Sequence, residues 1–256
     1  MKKLISTCAI AAIIAISAHA HAATDWSGFY AGLNAGAMLG ESSANTHAAN
    51  IGNYFANSSV TSIIANGTQK LNPLGVVGGA QGGYNYQTGH WVLGLEGNAS
   101  GSTASDSKST TVVYPCCSPS TYTISQKVSN DWAVSLSPKI GYAFDSTPIG
   151  DILGYISAGV VASQINYEST FSDNYGLNAF ESQNVSEFHA GWSVGTGAEV
   201  ALNSHWSVRP EYMYTNYGKV RPTGTLNANG GSTAPMEHSA DLTSSIFRVG
   251  VNYRFH

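Results

Sequence analysis

The chain has 256 residues, of which 10% are charged and 11% aromatic, and low charge combined with many aromatic residues excludes intrinsic disorder. A mean hydropathy of −0.07 excludes a polytopic helical membrane protein, whose spans each need about 20 apolar residues. With 11 Lys and Arg against 15 Asp and Glu, the formal net charge is −4, and we predict no nucleic-acid partner.

The beginning of the chain has the pattern of a secretory signal peptide. Lys2 and Lys3 form a basic start, residues 4–17 form an apolar stretch, and small residues follow at a suitable cleavage site. We therefore predict a cleaved signal peptide over residues 1–22 and one exported domain over residues 23–256.

Period-two alternation of apolar and other side chains predicts β-strands along the exported domain. In the first strand, Phe29, Leu33 and Leu39 fall on one face. Eight segments show the pattern, and they cover residues 29–39, 75–87, 91–100, 131–144, 151–162, 188–202, 206–217 and 242–255.

The connections between these segments alternate in length. Three are short turns, whereas the four over residues 40–74, 101–130, 163–187 and 218–241 are long and rich in Ser, Thr, Asn and Gly. Short turns at one end and long loops at the other are typical of outer-membrane barrels. The sequence therefore predicts an all-β fold, an eight-stranded antiparallel up-and-down transmembrane β-barrel with four long extracellular loops. The aromatic residues expected at its two membrane interfaces are Trp26, Trp91, Trp132, Trp206, Tyr217 and Tyr253.

The strand face opposite the apolar one carries charged side chains, namely Glu96, Lys139, Glu199, Arg209, Glu211, Arg248 and Arg254. A charge on the lipid face at mid-depth costs about 2–4 kcal/mol, so this placement fits a membrane barrel. Since an eight-stranded barrel is just wide enough to be filled by side chains, we predict a polar, charge-paired plug in its interior. The alternative is a narrow ion pathway gated by switching pairs such as Glu199 and Arg209.

Six segments carry a family resemblance, and they cover residues 25–32, 82–87, 92–97, 139–144, 191–199 and 206–214. The last two read GWSVGTGAE and WSVRPEYMY. Together the six segments resemble the OmpA-type eight-stranded outer-membrane β-barrel family, also described as porin-like or as opacity-type surface antigens. The resemblance implies an outer-membrane location in a Gram-negative bacterium, with lipid and lipopolysaccharide around the barrel and variable loops that meet a host or environmental ligand.

The closing segment, residues 248–255, resembles the C-terminal signal that the barrel-assembly machinery reads. Gly250, Tyr253 and Phe255 stand at the matching positions, although His256 follows where the family usually ends on an aromatic residue. The resemblance implies that the assembly machinery and periplasmic chaperones are partners during biogenesis. An ordinary last strand explains the alternation equally well.

Catalysis and metal binding find little support in the sequence. The scattered histidines lack metal-ligand spacing, and we predict no metal and no cofactor. The best candidate for a nucleophilic device is Ser193 with His189 and Glu187, which share an inward strand face rather than the membrane face. We predict a non-enzymatic barrel, with a lipid-modifying enzyme as the alternative.

The predicted loops contain three further features. Cys116 and Cys117 are adjacent, and a ring disulfide, free thiols and a link to another molecule all stay open. Six aromatic residues either stack on a ligand or pack the loops together, namely Tyr114, Tyr122, Tyr167, Phe171, Tyr175 and Phe180. The third loop holds Glu168, Asp173, Glu181 and Glu187 without Lys or Arg, and it either binds a cationic partner or is simply solvated.

Overall fold

The computed structural model describes residues 24–48, 54–148, 150–176, 178–221, 223–227 and 233–255, so the predicted signal peptide and His256 lie outside the described residues. These residues form one helix, α1 (Asn57–Gly67), and ten strands: β1 (Gly28–Ala48), β2 (Gln69–Leu71), β3 (Leu74–Thr88), β4 (Trp91–Val113), β5 (Thr121–Thr147), β6 (Gly150–Asp173), β7 (Phe180–Ala201), β8 (Trp206–Val220), β9 (Thr223–Asn227) and β10 (Thr233–Phe255). Within the described part of the chain, no helix is long and apolar enough to cross a membrane.

Eight long strands close into an antiparallel ring. They pair in the order β1, β3, β4, β5, β6, β7, β8 and β10, and β10 pairs back with β1 from Phe29–Phe255 to Ala48–Met236. The short β2 extends the sheet beside β1, and β9 lies beside β10. Ring closure satisfies the backbone of every long strand without water, which a membrane-spanning sheet requires. The predicted eight-stranded up-and-down barrel is confirmed.

A belt of outward apolar side chains surrounds the end of the barrel that carries the short turns. Leu33 on β1 is 70% exposed and Val160 on β6 is 63% exposed, as expected for side chains that face lipid rather than water. Aromatic pairs lie at the two edges of the belt, namely Trp91 with Tyr142, Trp206 with Tyr253, Trp132 with Phe188 and Trp192 with Tyr214. The belt fixes the membrane-spanning part of the barrel.

Two residues predicted for the aromatic interfaces are buried inside the barrel instead, so that prediction was wrong for Trp26 and Tyr217. Trp26 precedes β1 and is 1% exposed, because its ring enters the short-turn end of the barrel below the Arg254 guanidinium, 4.5 Å from the ring centroid. Tyr217 lies on β8 at the same inward alternation as Arg209. Neither side chain reaches the lipid interface.

The predicted loop boundaries were also wrong, because the strands run far beyond the apolar belt. β4 and β5 stay paired out to Val113–Thr121, and β6 and β7 stay paired out to Ser172–Phe180. The connections there shrink to residues 114–120 and 174–179. Once a strand leaves the lipid its outward face becomes polar, and apolar side chains such as Ile124, Ile165 and Phe171 lie on the inward face instead. The alternation continues there with the opposite face apolar, and the abundance of Ser, Thr and Asn made these segments resemble loops.

Candidate functional site

The barrel interior at membrane depth holds a group of buried charges, which we call the charge layer. It consists of Glu96 on β4, Lys139 on β5, Arg209 and Glu211 on β8, and Arg248 on β10, and every member is buried. Each residue has lipid-facing neighbours on its own strand, and alternation along the strand turns its side chain inward. The structure therefore brings together five of the residues that the sequence pattern singled out.

Glu96 lies at the centre of the charge layer. Arg209 donates to both carboxylate oxygens of Glu96, from Nη1 to Oε2 and from Nη2 to Oε1, the latter at 2.9 Å. The Tyr30 hydroxyl donates to Oε2 at 2.5 Å, and Lys139 Nζ lies 3.6 Å from the same oxygen. A buried charge persists when it is paired and its remaining hydrogen-bonding capacity is used, and Glu96 meets both conditions.

Glu211 forms the second acidic partner of the layer. Arg248 Nε donates to Glu211 Oε2 at 2.5 Å, and Arg209 Nη2 lies 3.7 Å from the same atom. Arg209 therefore joins the two carboxylates into one connected network.

Glu199 belongs to a neighbouring hydrogen-bond chain. Its Oε1 accepts from the Ser207 hydroxyl and from Asn252 Nδ2, the latter at 3.0 Å. The pair of Glu199 with Arg209, which the alternative ion pathway invoked, is not found among the ion pairs of the described residues. The long Arg209 side chain reaches Glu96 instead, where it makes two hydrogen bonds to one carboxylate.

Tyr30 and Tyr155 flank the charge layer, and sequence reasoning missed both. The Lys139 ammonium lies 4.4 Å from the Tyr30 ring centroid and 5.3 Å from that of Tyr155, within the range of cation–π attraction. A Cβ at Gly83 would lie 2.8 Å from the Tyr30 hydroxyl, and one at Gly197 would lie 2.5 Å from the Tyr155 hydroxyl. Both glycines thus leave room for a ring, and the inward alternation of the tyrosines was the signal available in the sequence.

Two apolar clusters fill the barrel beyond the charge layer. The nearer one includes Met38, Val77, Val161, Tyr217 and Ile246, and the outer one includes Phe55, Ile63, Tyr122, Phe171 and Leu226. Two small interior cavities, one beside Lys139 and one beside Met213, have volumes of about 10 and 20 Å³, which is room for about one water molecule each.

The structure shows where the aromatic residues of the predicted loops lie. Tyr114, Tyr122, Tyr167 and Phe171 are all buried, so they pack against neighbouring segments rather than against solvent. Tyr175 and Phe180 are exposed. We call this outer part of the barrel, with α1 and the strand ends around it, the extracellular cap.

A buried polar group lies on the strand extensions around His238. Its Nε2 is 3.2 Å from Glu181 Oε2, and its Nδ1 is 3.1 Å from the Ser169 hydroxyl and 3.0 Å from that of Thr46. A nucleophilic triad has the same composition, a serine, a histidine and an acidic residue within hydrogen-bond reach of one another. Because Ser169 is fully buried and His238 is 2% exposed, this hydroxyl is sealed from solvent. The residues come from different strands, so sequence reasoning missed the group.

The nucleophilic device considered around His189 is not assembled in the structure. His189 Nε2 lies 3.3 Å from Glu187 Oε2, but Ser193 is four residues farther along the same strand. At about 3.3 Å per residue, that spacing separates the two backbones by about 13 Å, which is beyond hydrogen-bond reach. Within the described ranges, no three His, Cys, Asp or Glu side chains converge as metal ligands would.

The remaining predicted residues lie at opposite ends of the barrel. Cys116 and Cys117 form a disulfide at the tip of the cap, between β4 and β5. Tyr253 packs between Trp206 and Phe255, with ring centroids 5.1 Å from each, on the strand that closes the ring. Gly250 lies on the same strand, and its role with Tyr253 and Phe255 in assembly stays a prediction.

A closed antiparallel barrel with an apolar belt, aromatic edges and a filled interior defines an integral outer-membrane β-barrel protein. The chain matches the family model described as "Outer membrane protein beta-barrel domain" over residues 8–255, and it belongs to that family. The protein is located in the outer membrane, as the family resemblance of its strands implied.

The relatives that the chain resembles in sequence are also outer-membrane proteins. The chain is 28% identical over 231 residues to the 31 kDa outer-membrane immunogenic protein of Brucella melitensis, covering 90% of this chain and 84% of the relative. It is 30% identical over 180 residues to the 25 kDa outer-membrane immunogenic protein of the same organism, covering 69% and 64%. The outer membrane protein OprG from Pseudomonas aeruginosa is 13% identical, with a TM-score of 0.43 and coverage of 90% and 97%.

Proposed function

We propose that this protein is a closed, non-enzymatic barrel that anchors an extracellular cap in the outer membrane, where it supports the envelope and makes surface contacts. The observation that carries the proposal is the filled interior. Trp26 occupies the short-turn end, the charge layer lies at membrane depth, and two apolar clusters follow toward the cap.

The charge layer supports a plug rather than an ion pathway. A permeating ion would have to separate Arg209 from Glu96, and breaking a buried pair leaves an uncompensated charge at a cost of about 3–5 kcal/mol. It would then have to pass the packed interior around Met38 and Met213, where the cavity has a volume of only about 20 Å³. General-diffusion pores use about 16–18 strands, twice the number in this ring.

Burial of the Ser169, His238 and Glu181 group supports a non-enzymatic barrel. The group would need an open path for a substrate carbonyl, and the packed cap leaves its hydroxyl fully buried. The hydrogen bonds of His238 with Thr46 and Ser169 join strands of the cap. A structural role therefore explains the geometry of the group better than catalysis does.

The strand extensions support a surface role for the cap. They hold α1, β2 and β9 well beyond the apolar belt, at the end opposite to the short turns. The Brucella relatives are named immunogenic outer-membrane proteins, which is consistent with a surface that lies open to the outside.

Planar-bilayer conductance of refolded protein tests the proposal. We expect wild type and Arg209→Leu to be equally silent, with folding shown by heat-modifiable gel mobility and insertion shown by recovery of the same protein from the bilayer lipid. Discrete channels in the wild type that disappear in Arg209→Leu would overturn the closed barrel and establish a narrow porin.

A further inference from the structure

The tip of the extracellular cap contains a cleft of about 270 Å³ that no part of the account above uses. Its walls include four aromatic side chains and the vicinal disulfide, namely Tyr54, Phe55, Tyr114, Tyr175 and Cys116–Cys117. The volume is just below the roughly 300–1,000 Å³ typical of sites for drug-sized ligands, so the cleft suits a smaller molecule.

The rings meet at steep angles and so form corners rather than a flat stack. Tyr114 and Tyr175 have centroids 6.0 Å apart with planes at 64°, and Tyr54 and Phe55 have centroids 5.1 Å apart with planes at 80°. Tyr114 is buried at the base of the cleft, whereas Tyr175 is 43% exposed at its rim. The cleft thus has aromatic side chains on several of its walls.

A carboxylate lies behind two of these rings. The hydroxyls of Tyr54 and Tyr114 donate to the same oxygen of Asp173, at 2.8 and 2.7 Å, and its other oxygen accepts from the Ala179 N–H at 2.8 Å. Burial and the neighbouring Asp173 raise the pKa values of both tyrosines well above the usual range, so both remain neutral hydrogen-bond donors. Negative charge at the hydroxyl end makes the ring face more attractive to a cation.

The lining residues themselves carry no positive charge. Aromatic walls backed by an anion favour a quaternary ammonium group over an anion or a neutral molecule. We infer that this cleft binds a small quaternary ammonium ligand of the choline class. The inference rests on the proposed function only in that the cap is the part of the molecule that meets its surroundings.

Calorimetric titration of the folded full-length barrel with choline tests this inference, in a detergent or lipid without choline headgroups. The matched control ligand is 3,3-dimethyl-1-butanol, which has the same shape without the charge. Because cation–π attraction is worth about 1–2 kcal/mol at a partly desolvated site, we expect choline to bind about tenfold more tightly. Equal binding of the two ligands, or no binding of choline, would overturn the inference.

Variants at the rim locate the site without endangering the fold. Tyr175→Leu removes an exposed ring and should weaken choline binding about tenfold, whereas Tyr175→Phe keeps the ring face and should preserve it. Phe180→Leu, an exposed aromatic of the cap outside the cleft lining, is the matched control and should have no effect. Equal loss in Tyr175→Leu and Phe180→Leu would contradict the site.

The ligand has two sources, a free quaternary amine and a phosphocholine headgroup. Cosedimentation with phosphatidylcholine vesicles, beside choline-free vesicles, identifies the headgroup, whereas binding of free choline alone identifies the soluble source. If the protein neither conducts ions nor binds choline, the closed-barrel proposal stands and only this inference fails. If the protein conducts ions and binds choline, the closed-barrel proposal fails and this inference stands.

Discussion

Glu96 shows how one residue sets the character of the barrel interior. Its carboxylate accepts from Arg209 at both oxygens and from Tyr30, and Lys139 lies within ion-pair distance. Alternation along β4 predicted that Glu96 points inward, but its partners come from β1, β5 and β8. Cross-barrel partners depend on side-chain length and on the shear of the closed ring, which a linear pattern does not contain.

The first prediction compares two Glu→Gln substitutions. Glu96→Gln leaves buried cations without compensation and should lower the free energy of unfolding by about 3–5 kcal/mol. Glu168→Gln is the matched control, because its pair with Lys127 is exposed, with the two side chains 45% and 48% accessible, and such pairs contribute about 0–1 kcal/mol. Urea unfolding in lipid vesicles measures both, and equal losses would contradict the charge layer as described.

Trp26 acts at the scale of an element, because it holds the segment before β1 inside the end of the barrel. Its backbone N–H donates to Gln87 Oε1 at 2.7 Å, and its ring packs with Val92, Ala143 and Leu153 below Arg254. The sequence placed this tryptophan at a lipid interface because it lies near a strand end. A residue's position near the end of a strand does not determine whether its side chain faces the lipid or the barrel interior. This holds especially for a residue outside the strand, where the alternation no longer applies.

Trp26→Ala should therefore cost more stability than a tryptophan substitution at the lipid interface. Truncating a buried tryptophan costs about 3–5 kcal/mol. Trp206→Ala is the control, since its exposed ring makes an edge contact with Tyr253 of a kind worth about 0.5–1.5 kcal/mol. Unfolding followed by circular dichroism gives both values. The reverse order would show that Trp26 does not close the barrel end.

The strand extensions form the second element-scale feature. Strand ends beside the short turns were predicted to within a few residues, as at 87, 91, 202 and 206, because the apolar belt makes period two visible there. The opposite ends were missed over residues 101–113 and 121–130. Over residues 101–113 both faces carry mostly Ser and Thr, so hydrophobicity does not distinguish a strand from a loop there. Over residues 121–130 Tyr122, Ile124 and Val128 do alternate with polar residues, so a period-two signal was present in the sequence and was overlooked.

Hydrogen exchange distinguishes these extensions from flexible loops. Backbone amides of residues 104–113 and 121–130 should exchange slowly, because they lie in one antiparallel ladder from Ala104–Asn130 to Val113–Thr121. In the connection over residues 114–120, the amides of Cys116 and Ser118 serve as the internal reference and should exchange faster. Pro115 and Pro119 have no N–H, and those of the other three residues donate to backbone carbonyls. Uniformly fast amide exchange over residues 101–130 would show that this segment is a flexible loop, as its composition suggests.

At the scale of the whole molecule, a lipid-facing wall encloses an interior that holds the charge layer and two apolar clusters. The wall was predictable, since alternation, turn spacing and inward charges all indicate a lipid-facing barrel. For the barrel interior, the sequence predicted only which residues point inward, not how they pair. The pairing around Glu96, the His238 group and the aromatic cleft of the cap all join strands far apart in the chain, so they appear only once the ring is closed.

The swelling rate of proteoliposomes in isosmotic glycine tests the closed interior most directly, since glycine is a small zwitterion without net charge that a solute-conducting path admits. We predict the rate of protein-free liposomes at every protein-to-lipid ratio, with a general-diffusion porin of about 16 strands as the fast control. A rate that rises in proportion to the amount of folded protein would contradict the account.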